Sequence, residues 1–220
     1  MKNIILFTVI LISMLSFSQS NSINTKFSYE EKGLVPRNFI VEVKGKNKDE
    51  LLSKTEAWLK EKYKELKSDN DDKNDKTDKT DKTKRTIIGY EVFKDDELDE
   101  ADKSDAGKAN KNIKLRFTGF TNNAICFGDK SNFSCERLEY IIELRFRDGD
   151  YRFRPIKLIY KTASDKKEQT INLKKHKFYS KDGIIKKGYE KVSSQVEDLL
   201  NKMNKSLLNY LTDKPQEDEW

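Results

Sequence analysis

Asp148-Gly149 stands between two runs of alternating apolar residues. Leu138, Tyr140, Ile142, Leu144 and Phe146 alternate before it, and Tyr151 and Phe153 after it. A two-residue Asp-Gly turn needs positive φ at both central positions, and it joins antiparallel strands. Such a turn also sets the register. Arg147 falls opposite Asp150, Phe146 opposite Tyr151, Arg145 opposite Arg152, Leu144 opposite Phe153 and Glu143 opposite Arg154. Because strand side chains alternate, this register assigns every residue of the pair to one of two faces. Pro155 has no N–H for a ladder, so it marks an edge or a bulge. Ile156, Leu158 and Tyr160 continue the apolar set displaced by one, as a bulge near Pro155 requires.

Other periodicities place the remaining elements. Phe39, Val41 and Val43 alternate, which predicts a strand over Arg37 to Lys44. Asn47 followed by Glu50 has the spacing of a capping box. Leu51, Leu52, Thr55, Trp58, Leu59, Tyr63 and Leu66 then recur at helical spacing and predict a helix over Lys48 to Leu66. Thr86 to Phe93 is β-branched and aromatic, a second strand. Ile113, Leu115, Phe117 and Gly119 alternate in a third. Thr162 to Lys187 reads as a lysine-rich connector with a short strand at Thr170 to Leu173. Tyr189, Val192, Val196, Leu199, Leu200, Met203, Leu207 and Leu211 predict a last helix over Lys187 to Leu211. The expectation is α+β: an antiparallel sheet in β-α-β4-α order, with two helices packed on one face. A single domain spans 27–211.

Between these segments the chain turns strongly polar. The 19 positions from Lys67 to Arg85 hold no hydrophobic residue, and Asp-Lys-Thr repeats from Asp75 to Thr83. A segment of that composition buries too little apolar area to offset the entropy of ordering it, so 67–85 is read as a disordered charged insert. Lys94 to Asn112 is a second polar stretch, and 212–220 is an acidic tail.

The start has the layout of a cleavable export signal. Lys2 precedes an apolar run from Ile4 to Leu15, and Ser16 and Ser18 put small residues at the −3 and −1 positions before Gln19. Residues 1–18 are read as a signal peptide cut between Ser18 and Gln19. Its apolar run falls short of the roughly 20 residues that span a bilayer, so no permanent membrane span is expected after cleavage. The predicted location is periplasmic or extracellular.

Export bears on Cys126 and Cys135, the only two cysteines. Outside the cytosol paired thiols tend to oxidise, and a turn-rich stretch containing Gly128-Asp129 lies between them. They are expected to form a disulfide, with a catalytic thiol or a metal pair as the alternatives. A thiol nucleophile wants a base, and His176 is the single histidine of the 220 residues. A structural zinc site wants four ligands, and no second Cys pair exists. Neither a Gly-rich phosphate loop nor a nucleophile elbow nor a paired-His helix is present. No catalytic residue, metal or cofactor is expected.

One family resemblance emerges. Phe27-Ser-Tyr29, Leu34-Val-Pro36 and Phe39 lead into the first strand, Trp58 and Tyr63 lie on the first helix, and Tyr140 and Phe146-Arg-Asp-Gly-Asp-Tyr-Arg152 lie on the hairpin. Together these resemble the exported bacterial domain-of-unknown-function family 4468, over roughly 27–211. The resemblance implies secretion and a TATA-binding-protein-like fold. It implies no activity, and such a fold does not by itself carry DNA binding.

Charge then points to a surface. The alternation puts Arg137, Glu139, Glu143, Arg145, Arg147, Arg152 and Arg154 on the face opposite the core, with Lys114 and Arg116 joining from the third strand. From Ile113 to Leu211 there are 21 basic and 12 acidic residues. The plain reading is a solvated face of cross-strand ion pairs such as Glu143–Arg154. The functional reading is an anion-binding face formed by Arg145, Arg147 and Arg152. Its partner would be an envelope protein or an anionic ligand. Because the aromatics fit the core alternation, no stacking platform and no nucleic-acid partner are expected. The function read from the sequence is thus an exported, non-catalytic binding protein. The alternative is a small secreted hydrolase using surface carboxylates.

Overall fold

The computed structural model describes residues 26–71, 85–93, 113–128, 133–161, 168–174 and 178–214, with residues 62–71, 85–86 and 161 described by backbone alone. The signal segment with Ser18 and Gln19, residues 72–84 of the charged insert, and His176 lie outside the described residues.

At the Asp-Gly turn the expected register forms in full. β6 (Ser134–Arg147) and β7 (Asp150–Lys161) pair antiparallel with Arg147↔Asp150, Arg145↔Arg152 and Glu143↔Arg154. Gly149 adopts φ +85°, but Asp148 does not share the positive φ expected at both central positions, so the register forms through a turn with one left-handed residue. The bulge falls where Pro155 predicts it: Ile142 pairs with Pro155 and Ile141 with Lys157, leaving Ile156 as the extra residue.

The main sheet has the order β3-β7-β6-β5-β4, all antiparallel, with β3 at Phe39–Glu42, β4 at Arg85–Phe93 and β5 at Ile113–Phe127. β8 (Glu168–Ile171) begins two residues before the predicted strand and pairs with the second half of β7. β3 takes the first half of the same edge. Pro155 lies between the two stretches, where neither strand pairs and its missing N–H costs nothing. β5 runs well past Gly119. The reason is an irregularity between Thr121 and Ile125, where Asn123 takes φ 51°; it interrupts the alternation but lets pairing resume as far as Phe127.

Two helices complete the α+β fold. α1 (Lys48–Asp71) continues past the predicted end at Leu66 and so takes in the first residues of the charged stretch. Its cap is reciprocal as expected: the Glu50 N–H donates to Asn47 Oδ1 (2.9 Å) and the Asn47 N–H to Glu50 Oε2 (3.1 Å). α2 (Val192–Leu211) starts later than predicted, because a turn closed by the Tyr189 N–H and the Lys186 carbonyl (3.1 Å) occupies the preceding residues.

Both helices lie on the face of the sheet that carries Leu115, Phe117, Tyr140, Leu144 and Tyr151. Trp58 of α1 meets Phe117 edge-on at 6.0 Å, and its Nε1–H donates to Ser206 of α2 (3.2 Å). The Tyr151 hydroxyl donates to Asn204 of α2 (2.8 Å). These bonds give buried polar groups their partners inside an apolar core running from Phe27 to Leu211. Two strands have no counterpart in the predicted order. β1 (Ser28–Glu30) and β2 (Gly33–Val35) form a hairpin of their own. Gly33, at φ +89°, brings its backbone so near Leu173 that a Cβ would sit 2.6 Å from the Leu173 carbonyl oxygen.

Candidate functional site

The face of the sheet opposite the helices is ordered into cross-strand rows by the ladder registers. One row runs Phe93, Lys114, Arg145, Arg152, Ile40, and the next runs Glu91, Arg116, Glu143, Arg154. The two rows contain five cationic side chains and two carboxylates. Arg147, Asp150 and Glu42 form a further row at the hairpin end.

Glu143 is the centre of this arrangement. It is only 3% exposed. Arg116 Nη2 reaches its Oε2 at 2.9 Å, Lys114 Nζ approaches the same oxygen at 3.9 Å, and Arg154 Nη1 stands 3.5 Å from Oε1. The predicted Glu143–Arg154 pair is therefore one arm of a larger cluster. Lys114 and Arg116 bind the same carboxylate because the β5–β6 register sets them beside it. The third strand's alternation put these two on the face, but the sequence has no tight turn between β5 and β6 to show which residue they oppose.

The structure corrects the expected site in one respect. Arg145 does lie beside Arg152, but it is 2% exposed and does not face solvent. Its place on central strand β6 puts long side chains on both flanks, Lys114 on one side and Arg152 on the other. Exposure belongs instead to Arg147 and to the side chains of Arg116 and Arg154, at 39% and 46%. Arg152 is intermediate. Asp150 has its carboxyl raised above the ordinary range, first by desolvation and further by Glu42, against the pull of Arg147.

The aromatics depart from the expected pattern as well. Phe120 pairs with Glu139 on this outer face, and the Arg137 guanidinium caps its ring at 3.4 Å from the centroid. Arg116 stands 5.3 Å from the ring of Phe93. Both rings thus leave the core alternation and are covered by arginines.

At the other end of the sheet Cys126 and Cys135 are directly paired across β5 and β6, and their sulfurs are bonded at 2.08 Å. No group of three or more His, Cys, Asp and Glu side chains suited to a metal ion occurs among the described residues. No described helix is long and apolar enough to cross a membrane.

Comparison with protein-family models finds no match, and comparison with curated proteins finds none. Among solved structures, the chain is similar to a DUF4468 family protein from Bacteroides ovatus, at 12% identity and a TM-score of 0.44, over 91% of this chain and 94% of the other. That neighbour is a member of the family that the sequence motifs resemble.

Proposed function

We propose that the chain is an exported, non-catalytic protein that holds an anionic partner against the outer face of its sheet. The TATA-binding-protein-like arrangement implied by the family resemblance belongs to the same proposal. The observation that carries the reading is the imbalance of the two central rows, where five cations stand with two carboxylates, the strongly buried Glu143 and the edge residue Glu91. Glu143 fixes the inner ends of the cluster, so the outer guanidiniums of Arg116 and Arg154 are oriented before a partner arrives. Arginine forks match carboxylate and phosphate oxygens in pairs. Arg147, Arg152 and Arg154 are the contact residues, with Arg145 beneath them.

Export is supported by the Ser16/Ser18 signal layout and by the Cys126–Cys135 disulfide, which suits an oxidising compartment. The non-catalytic reading rests on the single histidine and the bonded cysteines, which remove the usual nucleophile–base devices.

Titration with a short oligoglutamate peptide, followed by calorimetry, tests the site. The unaltered protein should bind with an affinity that falls as salt rises. Changing Arg147, Arg152 and Arg154 together to Gln should weaken binding about tenfold or more. Equal affinity in the triple variant would remove this face from consideration.

A further inference from the structure

A second feature lies where β5 and β6 end at the disulfide. A cavity of about 580 Å³ opens there, over a floor of Cys126, Gly128 and Gly188. Phe133 forms one wall, and Lys187, Glu190 and Lys191 stand around it. Small-molecule sites occupy about 300–1,000 Å³, so the volume suits a compact ligand.

The floor is tied in place. The disulfide joins the two strands, the Cys126 N–H donates to Gln195 Oε1 of α2 (2.9 Å), and the Gly128 N–H donates to the Gly188 carbonyl (2.8 Å). A floor held this way loses little freedom when a ligand settles on it. Its chemistry is two-sided. Phe133 is 52% exposed and offers an apolar ring, and the Lys191 ammonium sits 5.2 Å from that ring's centroid. Among the described residues, the charge around the cavity is two ammonium groups against one carboxylate. That carboxylate, Glu190, already accepts the Gly188 N–H at 3.0 Å. α2 starts one residue after Lys191 with no acidic residue in its first turn and no side-chain cap, so its positive end adds to the two lysines.

We propose that this cavity binds a small organic carboxylate with an aromatic body, the ring against Phe133 and the carboxylate toward Lys191. An amine would meet two like charges. An anion lacking an apolar body would leave Phe133 in water. The cavity is independent of the arginine face: Lys114 and Cys126 are twelve residues apart on β5, roughly 35 Å along a strand.

Titrating the isotope-labelled protein with millimolar benzoate, while following the amides of Gly128, Gly188 and Lys191, tests the assignment. Benzoate should shift these three saturably. Benzylamine and inorganic phosphate should not saturate them. Lys191→Met keeps the aliphatic stem and removes the charge, and Phe133→Ala removes the apolar wall; each should weaken benzoate binding about tenfold. The amides of β6 and β7 near Arg145 should stay unmoved in every titration with benzoate. Absence of saturation by benzoate would overturn the proposal. So would equal binding of benzylamine, or unchanged benzoate affinity in both variants.

Discussion

Three cations converge on the Glu143 carboxylate, and they do not share the same surroundings. The side chains of Arg116 and Arg154 are partly in water, whereas Lys114 is 4% exposed. Removing the carboxylate therefore harms Lys114 most, since a buried ammonium without its counter-charge keeps its desolvation penalty. Glu143→Gln should cost about 3 kcal/mol of unfolding free energy, the lower end for a broken buried pair. Adding Lys114→Met should recover part of that loss, because the buried ammonium that lost this carboxylate is then gone. Urea midpoints of the two variants check this, and a double variant worse than Glu143→Gln alone would contradict it. Asp150 supplies the opposite case in the neighbouring row. Its raised pKa means that the folded state holds the proton more tightly than the unfolded chain does. Stability is then lost as pH rises through the carboxyl range, and the penalty persists at neutral pH. Asp150→Asn should raise stability at pH 7 by a few tenths of a kcal/mol, given its partial exposure. The gain should vanish once the pH is low enough to protonate the wild-type carboxyl.

The β6–β7 hairpin and α1 meet at a corner that neither element makes alone. Asp148 Oδ1 accepts the Lys48 N–H (2.9 Å), the Gly149 N–H donates to the Lys46 carbonyl (2.8 Å), and the Val43 N–H donates to the Gly149 carbonyl (2.8 Å). The turn thus supplies an acceptor to the first turn of a helix one hundred residues away in sequence. Asp148→Ala should cost about 1 kcal/mol, as loss of a helix cap does, while Asp148→Asn should cost less. Thermal melts of the two variants check this, since Asn keeps both an acceptor oxygen and the turn propensity, and Ala keeps neither. What the sequence made legible follows from range. The Asp-Gly register, the Asn47–Glu50 cap, the Pro155 bulge and the α2 stripe are set by neighbours within a few residues. The cysteine pairing was legible from the cysteine count and the export that the sequence leads one to expect. β1 and β2 were missed because each is only three residues long, too short for alternation to show, and β8 was missed in part because its start is fixed by pairing with β7. The far half of β5 was missed because the irregularity at Asn123 hides its alternation. For the candidate site, alternation told which face Arg145 occupies but carried no information on its depth. That depth depends on the residues flanking it from β5 and β7.

At the scale of the molecule, α2 is the element that every other layer is tied to. It holds the chain start through two bonds between Asn201 and Phe27, at 2.7 and 2.9 Å, and through Glu197, which accepts the Tyr29 N–H at 2.7 Å. It also receives the sheet at Asn204 and α1 at Ser206. Two phenols belong to this framework. The Tyr29 hydroxyl donates to the Asn172 carbonyl (2.9 Å), and the Tyr151 hydroxyl donates to Asn204. Ionising either would remove the donor and set a phenolate against an oxygen. Burial, with a smaller contribution from Tyr179, raises Tyr29 from 10.0 to about 12, and burial also raises Tyr151. In the unfolded chain both ionise near 10, so above that pH the unfolded state binds fewer protons than the folded one. Stability should therefore be full below pH 10 and fall steadily between 10 and about 12. Tyr29→Phe should be less stable than the parent at pH 8, through loss of its hydrogen bond, yet show a shallower decline above pH 10. Urea unfolding at stepped alkaline pH, with phenolate absorbance recorded on the folded protein, reads both quantities. An identical slope in parent and variant would mean that the alkaline transition starts elsewhere and that Tyr29 does not couple the chain start to the sheet.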